Sequence, residues 1–132
     1  MITTEGKTLQ QVSDELAETL INQGERCVGV VGCVYGNGRG QHCAVGWLLP
    51  EDPELMQFKG PLHDLIVEQT GLGPNESFLK KNVKFLDYIQ SLHDAKTKRY
   101  RKRIVGRVSE EFDLDMTAWQ PWVDMGVKNG TD

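Results

Sequence analysis

The sequence predicts a mainly α fold, α+β in class: one compact domain of four to six helices with a small β-hairpin near residues 28–43. Three observations predict it. Apolar residues recur at helical spacing over about 8–23, 76–94 and 97–112. A short β-branched, glycine-bearing run, Cys27-Val-Gly-Val-Val-Gly-Cys-Val-Tyr35, interrupts that pattern. And 132 residues, 39% of them apolar and 26% charged, suffice to bury one conventional core without a disulfide or a metal. The same composition excludes a disordered, collagen-like or disulfide-dense chain.

The first helix rests on Leu9, Val12, Leu16 and Leu20, with Thr8 as N-cap and Gly24 as stop. The run from Cys27 to Tyr35 reads as a buried strand. Gly36-Asn-Gly-Arg-Gly40 reads as a tight reversal, and Gln41-His-Cys43 as the returning strand. Ala44-Val-Gly-Trp-Leu-Leu49 reads as a short buried helix stopped by Pro50, with Gly46 allowing another backbone to approach closely. Pro53 to Phe58 makes a single helical turn. Residues 61–70 form a short helix with Pro61 at its first position. Phe78, Leu79, Val83, Leu86, Ile89 and Leu92 give the helix 76–94 one continuous seam. Tyr100, Ile104, Val108 and Phe112 turn one face of the last helix, about 97–112, to the core. Residues 117–132 are too short for another domain and read as a C-terminal extension whose Trp119 and Trp122 either fold back or meet a partner. The whole chain, 1–132, is expected to be a single domain.

Charge is segregated. The net −4 divides into −6 over residues 1–95, +7 over 96–107 and −5 over 108–132. The basic block holds seven cations and no acid. It is either a solvated helix face or a docking site for something anionic. Lys98, Arg99, Arg101, Lys102, Arg103 and Arg107 are the candidate partner-binding residues, expected to project outward from an apolar underside. The fitting partner is an acidic protein surface, an anionic ligand, or a second copy of the chain pairing antiparallel. Nucleic acid is disfavoured, because a pI near 5.4 leaves the rest of the surface repelling phosphates.

Two further sites carry candidate chemistry. Cys43 precedes a short helix, where a thiol nucleophile would need an imidazole base. His93 is the best donor, with Asp94 or Asp87 to orient it, and the triple Cys43, His93, Asp94 describes a cysteine-dependent hydrolase or acyl-transfer enzyme. His93-Asp94 also has a plain structural role, the histidine at a helix end and Asp94 capping the next helix. Gly38, Arg39 and Gly40 offer backbone N–H groups and a charge to an anion or nucleotide, although the loop lacks the ending of a P-loop. Cys33, His42 and Cys43 are poor metal ligands together, since adjacent strand residues point to opposite faces. The sequence implies no metal and no cofactor. An odd cysteine count (three), no basic-then-apolar N-terminus and no run of ~18 apolar residues predict a reduced, cytoplasmic, non-membrane chain.

The stretch Gly40-Gln-His-Cys-Ala-Val-Gly-Trp-Leu-Leu-Pro50-Glu-Asp, preceded by Tyr35 and followed by Ile89-Gln-Ser-Leu-His-Asp94, resembles an uncharacterised family of small bacterial and phage proteins. Its marks are a Cys-Ala-Val/Ile-Gly-x-Leu-Ile-Pro motif and a later Leu-Gln-x-x-His-Asp motif, and the similarity spans about residues 8–115. The resemblance implies that Cys43, Gly46, Pro50, His93 and Asp94 form one constellation in a mainly helical domain. It also implies a phage-type accessory or inhibitor role in a host cytoplasm, and it brings no catalytic assignment. Trp47 stands where a small residue or cysteine is more usual, and Tyr100 near an expected tryptophan.

Overall fold

The computed structural model describes residues 1–24, 28–29, 32–33, 35–36, 40–58 and 60–125. Helix α1, Leu9–Gln23, starts where the sequence places it. The Thr8 side chain accepts from the Gln11 N–H, the Gln11 side chain accepts from the Thr8 N–H, and Gly24 ends the helix in the left-handed region. Its buried face is Val12, Ser13, Leu16, Ala17 and Leu20.

The hairpin expected near residues 28–43 is not supported. Val28–Gly29 pairs antiparallel with Gly32–Cys33, so the chain reverses inside the run read as one strand. Across the glycine loop, Gly36 and His42 form a bridge. Glycines at 29 and 32 weaken a continuous strand, which explains why the alternation of β-branched residues does not extend it. A 3-10 turn, Val45–Leu48, follows, and then α2, Pro53–Met56, capped by Asp52.

Helix α3 runs over Leu62–Glu68, with Pro61 as its extended N-cap residue rather than its first helical one. The single helix expected over 76–94 is two. Helix α4, Glu76–Lys81, and helix α5, Val83–Asp94, break at Asn82 (φ −122°, ψ 32°). The Asn82 side chain donates to the Phe78 carbonyl at 2.9 Å, a side-chain bond that competes with the helical ladder. Helix α6, Lys98–Phe112, is capped by Thr97, not by Asp94, and ends at Asp113 in the left-handed region. A second 3-10 turn, Thr117–Trp119, leads into α7, Gln120–Asp124.

Residues 117–125 complete the core instead of extending from it. The Trp119 indole N–H donates to the Ser13 hydroxyl at 3.0 Å, and that of Trp122 to the Leu92 carbonyl at 3.0 Å. Both rings are fully buried, each indole keeping the polar partner that burial demands. Helix α1 is further tied to this segment by a reciprocal pair, the Gln10 amide donating to the Asp115 carbonyl and accepting from the Asp115 N–H. At the other end buried Asn75 gathers the chain start, accepting from Thr4 and donating to the Ile2 and Leu48 carbonyls. One hydrophobic cluster runs through all of these elements.

Candidate functional site

Helix α5 has two characters. Leu86, Ile89 and Leu92 face the core, whereas Asp87, Gln90, Ser91 and Asp94, spaced i, i+3, i+4 and i+7, line a cleft of about 280 Å³. Facing them are Tyr35 and Cys43, and Phe58, Pro61 and Leu62 add an apolar wall. The polar periodicity of α5 was readable in the sequence, but nothing there marked Tyr35 and Phe58 as its opposite walls. They reach it through loop connections that no local pattern encodes.

Close backbone packing positions Cys43. Its N–H donates to the Tyr35 carbonyl at 3.1 Å, and the Gly46 N–H donates to its Sγ at 3.4 Å. A Cβ on Gly46 would stand 1.9 Å from that same Tyr35 carbonyl oxygen. The close approach expected at Gly46 therefore occurs, and it locks Tyr35 to Cys43. The Tyr35 side chain is 7% exposed. Burial first, then the electrostatics of Cys43, Asp87 and Asp94, push its phenol well above its usual ionisation range.

The catalytic triple is not assembled at this cleft. Cys43 and Asp94 line it, but His93, one residue from Asp94 and so about 100° round the helix, does not. His93 is fully buried, and its ring stacks on Trp122 with centroids 5.2 Å apart and planes 15° off parallel. Its Nδ1 lies 3.4 Å from Asp94 Oδ1, and neither ring nitrogen makes a hydrogen bond. A thiol nucleophile needs a base or cation beside it. Among the described residues lining the cleft there is no histidine, lysine or arginine. Of the implied constellation, Cys43, Gly46 and Asp94 gather here, while Pro50 packs its ring where a Cβ on Gly73 would lie.

Helix α6 corrects the expected cationic face at its centre. Arg101 is 5% exposed and points inward. Its Nε donates to the Ala95 carbonyl at 2.8 Å, its Nη1 donates to the Trp122 carbonyl, and the guanidinium lies 4.5 Å from the centre of the Trp122 ring. Trp122 is therefore sandwiched between His93 and Arg101. The buried stripe is Arg101, Ile104 and Val108, and Tyr100, expected inside, is 48% exposed. Ile104 and Val108 are buried and Phe112 packs against the core as expected, so the difference lies at the start of the helix, where Trp122, arriving from α7, supplies both an aromatic face and an acceptor for Arg101. Lys98 pairs with Asp124 at 3.5 Å. Arg99, Lys102, Arg103 and Arg107 remain on the outer face. Among the described residues no carboxylate lies in ion-pair range of Lys102, Arg103 or Arg107.

Gly38 and Arg39 of the candidate anion loop lie outside the described residues, and Gly40 is exposed with φ 84°. Cys27 and the Cys33 side chain also lie outside them. His42 contacts Glu51 through Nε2 and tilts against Trp47. No group of three metal-ligating side chains occurs among the described residues. No helix there is long and apolar enough to cross a membrane. Protein-family models, curated proteins and solved structures were compared with the chain, and none matches it.

Proposed function

We propose that the protein is a non-enzymatic binding domain that docks onto an acidic protein surface through the outer face of α6. One observation carries the reading: Lys102, Arg103 and Arg107 are exposed on a helix whose inner face is pinned by Arg101, Ile104 and Val108. Cations on a rigid helix meet a partner without the ordering cost of a flexible tail, and their concentration in an otherwise acidic chain steers approach. Arg99 shares this face, whereas Arg101 and the Asp124-paired Lys98 support the helix from within and at its edge. The family resemblance supports placing such a module among phage-type accessory or inhibitor proteins working in a host cytoplasm.

Reversing Lys102, Arg103 and Arg107 to Glu together is expected to abolish salt-sensitive retention on an immobilised polyglutamate surface while leaving the thermal unfolding curve unchanged. Reversing Lys80, Lys81 and Lys84, which changes net charge by the same amount on α4 and α5, is expected to leave most of that retention. Equal losses from the two triples would overturn the reading, as would a wild-type chain that is not retained.

A further inference from the structure

The cleft that α5 shares with Tyr35 and Cys43 has the chemistry of a ligand site, and among the described residues none of α6 lines it. Its volume of about 280 Å³ equals roughly nine waters at ~30 Å³ each, the scale of a small metabolite. Its apolar lining is Phe58, Pro61 and Leu62. Its acidic lining is Asp87 and Asp94, two turns apart on α5.

A second observation points to a polar ligand. Tyr35 is more than nine-tenths buried and lines the cleft, yet the described residues offer its hydroxyl no hydrogen-bond partner. Buried hydroxyls are ordinarily paired. Asp87, which is exposed, and Asp94 line the same cleft. Gln90, by contrast, is already engaged, accepting from the Val45 N–H at 3.3 Å. The Tyr35 hydroxyl and the Asp87 carboxylate thus belong to one cleft that also has an apolar lining in Phe58, Pro61 and Leu62.

We propose that this cleft binds a small primary amine with an apolar stem, the ammonium donating to Asp87 and to the Tyr35 hydroxyl while the stem packs on Phe58 and Leu62. An anion is disfavoured by the two carboxylates. A neutral ligand would offer the phenol and Asp87 no charged donor, the arrangement that most strongly separates a polar ligand from its analogue.

The test uses n-hexylamine as probe, with 1-hexanol and hexanoate as neutral and anionic counterparts, measured on the full chain by calorimetry and by amide chemical-shift changes. Hexylamine is expected to shift the amides around Asp87, Ser91 and Tyr35 and to bind at least ~10-fold tighter than hexanol, the scale of one hydrogen bond to a charged group. Asp87→Asn and Tyr35→Phe are each expected to weaken hexylamine about tenfold or less. Glu110→Gln, on the exposed face of α6, is expected to leave it unchanged. Hexanol binding as well as hexylamine, or amide shifts confined to surfaces away from the cleft, would overturn the proposal. So would tighter binding of N-acetyl-lysine amide than of hexylamine, which would reassign the cleft to a lysine side chain of a peptide.

Discussion

Trp122 and Tyr35 are both buried aromatics with polar neighbours, and they meet different residues of α5, Trp122 at Leu92 and His93, Tyr35 in the cleft lined by Asp87 and Asp94. Around Trp122 the polar groups close on the molecule itself. The indole donates to Leu92, the guanidinium of Arg101 donates to two carbonyls and stacks on the ring, and His93 covers the other face. Around Tyr35 the backbone is equally closed, through Met56, Cys43 and Gly46, but the hydroxyl and the polar side of α5 open on a cleft. The contrast separates polar residues that hold a fold from those that can act on something else. It also explains why the most prominent basic residue of the sequence is structural. A buried charge persists only where hydrogen bonds replace its water, and two carbonyls and an aromatic face do that for Arg101.

The comparison can be broken most severely at Trp122. Trp122→Ala empties the space between His93 and Arg101 and is expected to cost about 3–5 kcal/mol, read as a lowered urea midpoint. That is a large part of an ordinary 5–15 kcal/mol stability. Arg101→Met keeps much of the aliphatic packing but strips the donors from the Ala95 and Trp122 carbonyls. A loss of about 2 kcal/mol is expected. Arg103→Met, two residues on and exposed, is expected to change stability by no more than ~0.5 kcal/mol. Equal effects at 101 and 103 would erase the distinction drawn between the two faces of α6.

The smallest effect sharpens the other side. Tyr35 ionises at higher pH folded than unfolded. Its contribution is therefore complete below its unfolded value of ~10 and is lost as pH rises beyond that value, because the unfolded state then releases the proton first. Tyr35→Phe is expected to flatten the alkaline decline in stability above pH ~10. Near neutrality it should alter stability by at most about 1 kcal/mol, since the hydroxyl has no described partner to lose. Urea titrations across the alkaline range compare the two slopes, and identical slopes would show that the phenol is not held in its neutral form by the fold.

Much of the helical framework was legible locally. Thr8, Gln11 and Gly24 bound α1 as their cap chemistry requires, and Gly46 permits the backbone approach its lack of a side chain suggested. The break at Asn82 was not legible, because its competing bond to Phe78 lies within a continuous apolar seam. The strand reading of residues 27–35 followed β-branched composition and underweighted the glycines at 29 and 32. Of the candidate triple, sequence proximity suggested that His93 and Asp94 would serve one site, but the 100° step between neighbours on a helix sends them to different ones.

By itself the sequence determined how α1 begins and ends, that Ile104 and Val108 face inward, and that cations concentrate between residues 96 and 107, because capping, periodicity and charge act over a few residues. Only the tertiary structure decided which of those cations is internal and which histidine is sealed away. It also decided which polar stripe meets Tyr35 across a cleft. Those outcomes depend on where Trp122 and the Tyr35 segment arrive, and long-range packing sets both.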